Sequence, residues 1–335
     1  MKDVKIQLNV MVGLPGSGKS SYIKKTKSKD GLYIISADDV REDFPEIEDN
    51  SKIFDLVYEK LEILIKSIYE NALPNACIYL DNTNLVCKKR KKIFEVAKKL
   101  EKSCRGLNIN VTAIIMSTPF ETCLERNKNR KGKVVPEEVI YKYRASFNIP
   151  FYEEGFNEIK IIDGFTLNEI TQVQCDFKKY TLMAEKMINF DQENPHHRYT
   201  LGNHMIACQE LVLSGEETFN KPFSVYVAAL VHDWGKYYTK SYNANGIGIY
   251  YNHGEVGAYE LLSDLTLIPQ MNFPINAILE VLAYVNYHMK PFNWNTKKAL
   301  KKAYETYGKL LFEDLIKFNK IDKEACGTES EQITG

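Results

Sequence analysis

The stretch Gly13-Leu14-Pro15-Gly16-Ser17-Gly18-Lys19-Ser20 follows the apolar run 5–12, KIQLNVMV, and opens a helical segment. It fits GxxxxGK[ST], and strand–turn–helix is the context that motif requires. Its glycines let the backbone curl so that N–H groups face phosphates, and the helix N-terminus adds partial positive charge. Gly13, Gly16, Ser17 and Gly18 then form a nucleotide cradle. Lys19 is placed for the β/γ-phosphates and Ser20 for Mg²⁺. The expected ligand is ATP, or another NTP, with Mg²⁺; a glycine-rich turn holding no nucleotide is the plainer alternative.

Working outward, strand-length apolar runs recur at 32–36, 76–80, 110–116 and 158–163, with helical periodicity at 53–73 and 88–100 between them. Alternating strands and helices, with strands buried on both faces, predict a parallel sheet flanked by helices. After Gly164 the pattern turns helical, over 167–190, 203–213, 222–236, 255–265, 274–288 and 296–320, broken by a strand-like GIGIYYN at 246–252. Two domains are expected, 1–165 and 166–335, with helix 167–190 as connector and residues 326–335 as a frayed end.

Three features lie near the motif's chemistry. Asp38 and Asp39, in SADDVRE (36–42), follow the second strand, on the rim where open α/β sheets bind ligands. A carboxylate there can take the proton of an attacking hydroxyl, or it can merely cap the next helix. Asp81-Asn82-Thr83-Asn84 ends the third strand on the same rim, fit for a Mg²⁺ shell, an acceptor contact or a turn. Arg126 and Arg130, four apart on one helical face, could clamp a phosphoryl group or simply face solvent.

Together, GLPGSGKSS (13–21), SADDVRE, NTNL (82–85) and ERNKNRKGKVVPEEV (125–139) resemble the kinase domain of bacteriophage-type 5′-hydroxyl polynucleotide kinases, over roughly residues 5–165. The resemblance implies that the cradle through Ser21 binds the nucleotide and that Asp38 is the general base. It implies Arg41 on a phosphate of the acceptor and Arg126 and Arg130 as lid arginines on the ATP phosphates. The family often has Asp where Asn82 stands, so the roles of Asp81 and Asn82 stay open. The phage enzymes' DxDGT phosphatase motif does not occur in this sequence.

All six histidines, His196, His197, His204, His232, His253 and His288, fall in the second half. A lone histidine is usually a packed core residue. His232-Asp233 in VHDWGK (231–236) is sharper, since imidazole and carboxylate side by side make metal ligands and the carboxylate can bridge two ions. With NPHHRYTLGNHMIA (194–207), HGEVGA (253–258) and YHMKP (287–291), this half resembles HD-superfamily phosphohydrolases over about 190–325, in the flavour of the HD domain of bacterial tRNA nucleotidyltransferases. The resemblance implies an all-α HD domain whose principal site is His204, His232, Asp233 and Asp322, with Asp314 the rival for the last position. It implies His253 and His288 on a second ion with Asp233, and Lys236 on substrate phosphate. The metal expected is Mn²⁺, Ni²⁺ or Co²⁺. Tyr237, Tyr238, Tyr250 and Tyr251 nearby suit either base stacking or packing.

Composition sets the frame. The 335 residues are 44% hydrophobic and 26% charged, which excludes a disordered chain, and no apolar run reaches the roughly 18 residues of a membrane helix. A charged N-terminus and seven cysteines without a CxxC pair predict a reduced, cytoplasmic protein. Net charge is zero, but residues 1–165 hold 28 basic against 24 acidic groups and the remainder 16 against 20. The basic groups cluster at Lys88–Lys92 and Arg126–Lys133, where a nucleic-acid backbone would bind. The combined expectation is a bifunctional end-healing enzyme acting before a ligase on RNA or DNA ends, cleaved tRNA among them. It would phosphorylate 5′-hydroxyls and remove 3′/2′-phosphates or open 2′,3′-cyclic phosphates. The alternatives are a nucleoside or nucleotide kinase fused to a nucleotide phosphohydrolase, and a nucleotide-sensing regulator.

Overall fold

A computed structural model describes residues 3–26, 31–73, 75–132, 134–195, 197–269 and 273–326, and for Phe273 the backbone alone. His196, Lys133 and residues 327–335, all named above, lie outside the described residues. The chain divides into two compact units, Met1–Tyr143 with Pro150–Ile170, and Arg144–Ile149 with Thr171–Gly335.

The first unit is a five-stranded parallel sheet of β1 (Val4–Val12), β2 (Leu32–Ser36), β3 (Ala76–Asp81), β4 (Leu107–Ser117) and β5 (Glu158–Asp163), in the order β2-β3-β1-β4-β5. Its helices are α1 (Lys19–Thr26), α2 (Ala37–Asp43), α3 (Asn50–Glu70), α4 (Cys87–Ser103), α5 (Phe120–Lys128) and α6 (Glu137–Arg144), the last residue of which belongs to the second unit. The apolar runs became strands because helices cover both faces: Ile6, Leu8, Val10 and Val12 of β1 are buried, as is Met11 between them. β1 pairs with β3 on one side and β4 on the other, so the loop after it opens at the point where the strand order reverses. The ends of β1, β2, β3, β4 and β5 bring Gly13, Asp38, Asp81, Thr118 and Gly164 to one rim.

The second unit is mainly helical: α7 (Phe177–Ile188), α8 (Leu201–Ser214), α9 (Pro222–Ala229), α10 (Gly235–Thr239), α11 (His253–Ser263), α12 (Ile275–Tyr287) and α13 (Lys297–Glu324), the last kinked at Gly308 (φ 69°). The connector helix expected over 167–190 starts only at Phe177. Residues Gln172–Val173 instead pair with Phe273–Pro274, and Asp176 caps α7 by accepting from Lys179 N. The helical stretch expected over 222–236 breaks after Ala229, and residues 230–234 turn into α10. Within GIGIYYN only Gly248–Ile249 is strand, paired with Ser241–Tyr242. No helix among the described residues is long and apolar enough to cross a membrane.

Candidate active sites

Glycine geometry and contacts from other segments shape the P-loop. Gly16 (φ +81°) and Gly18 (φ +98°) occupy the left-handed region, and a Cβ on Gly16 would lie 2.3 Å from the Cys123 carbonyl oxygen. Gly13 N donates to Thr83 O at 3.1 Å, and Thr118 Oγ1 to Ser17 O at 2.8 Å. Lys19 Nζ curls back onto the carbonyls of Gly13 and Leu14, at 3.0 and 2.9 Å. Burial pushes the Lys19 ammonium below its usual range, against the pull of Asp81. An ammonium held only by two carbonyls is poised to take an anionic partner. Ser20 Oγ donates to Asp81 Oδ2 at 2.8 Å. This hydroxyl–carboxylate pair is the oxygen donor set that a Mg²⁺ ion takes in P-loop sites, so the residues present fit the ion.

Asp81 thus takes the position facing the P-loop that the sequence left open. Asn82 turns away instead, accepting from Ala37 N at 2.7 Å and tying β3 to the start of α2. Ser36, not an aspartate, caps α2 by accepting from Asp39 N at 3.0 Å. The Asp38 carboxylate is therefore left for other partners, with Arg41 Nη1 at 2.8 Å and Arg130 Nη2 at 3.6 Å; its side chain is 63% exposed. Asp38 and Arg41, one turn apart on α2, are joined by Arg130 from just beyond α5. Arg126 goes elsewhere, donating to Gly164 O at 2.9 Å with its guanidinium 5.1 Å from the Phe165 ring centroid. Ser21 lies exposed on α1.

Two residues escaped the sequence reading. Asn127 clamps Val135 from both sides, donating to its O at 2.8 Å and accepting from its N at 3.1 Å, which ties the end of α5 to the segment beyond Arg130. Arg90 belongs to the Lys88–Lys92 run expected to face nucleic acid, yet it is fully buried. Its guanidinium pairs with Glu154 through two contacts of 2.8 and 2.6 Å and donates to Asn84 O at 2.9 Å. That run is therefore an exposed set of lysines around a structural arginine, because helix α4 turns position 90 inward.

In the second unit, His204 (α8), His232 and Asp233 (the turn after α9), His253 (α11), His288 (after α12) and Asp322 (α13) converge, all buried. His204 Nε2 lies 3.0 Å from Asp322 Oδ1 and 3.3 Å from Asp233 Oδ2, and His232 Nε2 lies 3.3 Å from Asp322 Oδ1. His253 Nε2 is 3.1 Å and His288 Nε2 3.5 Å from Asp233 Oδ1. Asp233 therefore offers one oxygen to each of two ligand groups. Asp314 takes no part: it accepts from the backbone N–H groups of Asn220 and Lys221 and from the Tyr284 hydroxyl.

The outward nitrogens decide what the inward ones are. The Nδ1 atoms of His204, His232, His253 and His288 face the carbonyls of Ala325, Ala229, Tyr250 and Val285 at 2.8–3.3 Å. A carbonyl only accepts, so each Nδ1 carries the proton and each Nε2 is left with a lone pair aimed inward. Such Nε2 atoms crowd each other, with His253 and His288 only 3.1 Å apart, and His232 Nε2 is buried 3.3 and 3.5 Å from the carboxylates of Asp322 and Asp233. Four imidazole lone pairs and two carboxylates call for cations at their centre. In the ion-free protein that charge falls partly on His204: burial opposes its protonation, but Asp233 and Asp322 overcome this and raise it to about 9. Gly235 makes the convergence possible, since a Cβ there would sit 1.8 Å from the His253 carbonyl oxygen. Lys236 Nζ lies 2.7 Å from Asp233 Oδ2 and donates to Gln192 Oε1 at 2.9 Å. His197 and Cys326 adjoin the cluster beside His204, a grouping that no sequence signal announced.

Comparison with known proteins covers mainly the first unit. Residues 8–150 match the AAA domain family model AAA_33, and this region has the α/β P-loop kinase fold. Over 168 residues the chain is 30% identical to a candidate bifunctional polynucleotide phosphatase/kinase of Acanthamoeba polyphaga mimivirus; the alignment takes in 48% of this chain and 34% of that protein. The chain thus spans about a third of the length of this relative. Among solved structures, a Pnkp1/Rnl/Hen1 RNA repair complex aligns at 20% identity over 41% of this chain and 42% of that one, with a TM-score of 0.33. A fungal RNA kinase aligns at 14% identity over 48% and 76%, with a TM-score of 0.36. At these scores neither likeness carries weight.

Proposed function

We propose that the chain heals both ends of a broken polynucleotide, most simply RNA, with one site in each unit. The observation that carries this is a P-loop facing a carboxylate–arginine trio in one unit and a buried four-histidine, two-carboxylate cluster in the other. The mimivirus relative, whose name includes a polynucleotide kinase, supports the kinase half of this reading.

In the first unit the backbone of Gly13–Gly18 binds the nucleotide's phosphates, Lys19 exchanges its carbonyl partners for phosphate oxygens, and Ser20 with Asp81 holds Mg²⁺. Asp38 accepts the proton of the 5′-hydroxyl as that oxygen attacks the γ-phosphorus of ATP and ADP departs. Arg41 and Arg130, already beside Asp38, balance the charge gathered there, and Arg126 serves the phosphates. In the second unit His204, His232, Asp233 and Asp322 would hold one ion, and His253, His288 and Asp233 would hold a second, in the manner of an HD phosphohydrolase. Bound Mn²⁺, Ni²⁺ or Co²⁺ supplies a water of lowered pKa. Lys236 presents its ammonium to the substrate phosphate. Cleavage that leaves a 5′-hydroxyl also leaves a 3′/2′-phosphorylated end, and a ligase acting afterwards needs both repaired.

The test is an RNA carrying a 5′-hydroxyl and a 2′,3′-cyclic phosphate, analysed at both ends. Asp38→Ala should abolish phosphorylation and spare 3′-end processing, and His232→Ala should do the reverse. Phosphorylation of free nucleosides but not of the RNA would refute this reading.

A further inference from the structure

From Lys236, beside the cluster, runs a strip of aromatic rings, with Lys240 among them, that the proposed chemistry does not use. It begins at Lys236, whose ammonium lies 5.6 Å from the Tyr250 ring centroid. Tyr250 tilts against Phe190 at 6.4 Å, and Phe190 against Tyr237 at 5.9 Å. Lys240 Nζ then sits 4.8 Å from the Phe190 ring and 5.6 Å from the Tyr242 ring. The strip is drawn from three segments: the residue region after α7, the α10–hairpin stretch, and the turn before α11.

Apolar rings exposed singly are normal, but a continuous series that starts at a ligand's neighbour is not a scatter. Tyr237 is exposed and Tyr242 is 54% exposed. Their polar ends are tied down where partners exist. Glu193 takes Lys240 Nζ at 2.7 Å and the Tyr242 hydroxyl at 3.3 Å, Lys240 also donates to Asp191 O, and Tyr250 donates its hydroxyl to Gln192 O. Tyr242, fixed at its edge, keeps little rotamer freedom to lose when a flat partner stacks on it.

We propose that this strip seats the nucleotides preceding the reacting terminus of a single polynucleotide strand. Their bases stack on Tyr242 and Tyr237, and their phosphates lie toward Lys236 and Lys240. The inference rests on reading the cluster as a phosphoesterase and names its substrate: a strand end, not a free nucleotide. Stacking reads only the π-face, so the strip tolerates any sequence and rejects bases already paired in a duplex.

The full chain, loaded with Mn²⁺, would be assayed on a nucleoside 2′,3′-cyclic phosphate and on a single-stranded hexanucleotide with the same cyclic end. The hexanucleotide should be preferred at least tenfold in kcat/KM. Tyr242→Ala should cut that preference about fivefold or more, as expected for a lost base stack, and Tyr242→Trp should restore it. Equal efficiency on the two substrates, or equal losses on both in Tyr242→Ala, overturns the strip and leaves the cluster's chemistry standing. Turnover of neither substrate removes the phosphoesterase reading and the strip with it.

Discussion

The two sites are built in opposite ways. The P-loop is eight consecutive residues with glycines at positive φ, held from outside by a few contacts such as Thr118 to Ser17, and its partners Asp38 and Arg130 stand in the open. The His/Asp cluster takes one or two residues from each of five segments, and every one of its six side chains is buried. A local site survives the loss of distant packing better, whereas a buried site makes its charge balance part of the fold. Chemistry on the first depends on what arrives; stability of the second depends on what is bound.

Four experiments would break or sharpen that contrast. The largest effect belongs to the reacting groups. Asp38→Ala should lower 5′-phosphorylation by about 10²–10⁴-fold, the range for a lost general base, with an unchanged melting temperature because the side chain is exposed. Asp233→Ala, by contrast, should both abolish 3′-end processing and alter stability; a variant with the melting curve of the parent would undo the contrast.

Next comes Arg90, the buried cation of the first unit. Arg90→Ala leaves Glu154 buried and unpaired, and should cost about 3–5 kcal/mol in denaturant titrations. If the loss matched that of a surface lysine, Arg90 would belong with the exposed run after all.

The third concerns pH in chelator-treated protein. His204 sits at about 9 against an ordinary 6.5, so its contribution to stability is complete below pH 6.5 and disappears as pH rises through 9. The melting temperature of the ion-free protein should fall across that window, on the order of 1–3 kcal/mol of stability. Protein loaded with Mn²⁺ should hold its melting temperature there, the ion having replaced the proton. Identical slopes with and without metal would show that the cluster binds none. The smallest effect is electrostatic: Lys88→Ala with Lys91→Ala should reduce the slope of log K against log salt for single-stranded RNA by about 0.7 per lysine that meets a phosphate.

Much of this was legible in order of locality. Strand and helix alternation in the first 163 residues follows from apolar period and length, and the β1–loop–α1 unit from its glycines. HDWGK marked a ligand pair, but not why glycine stands at 235: the close approach of His253 demands it. Helical period misplaced the start of α7, because residues 172–173 were captured by a strand pairing with 273–274, a hundred residues away.

The sequence by itself determined the strand and helix segments of the first unit, the phosphate loop and the identity of the candidate ligands, since each shows in a pattern a few residues long. Only the tertiary structure decided that Asp81 meets Ser20, that Arg90 is buried, and that Asp322 rather than Asp314 faces the histidines. Those outcomes depend on which helix face turns inward, and the neighbours that settle this are packed in from segments far along the chain.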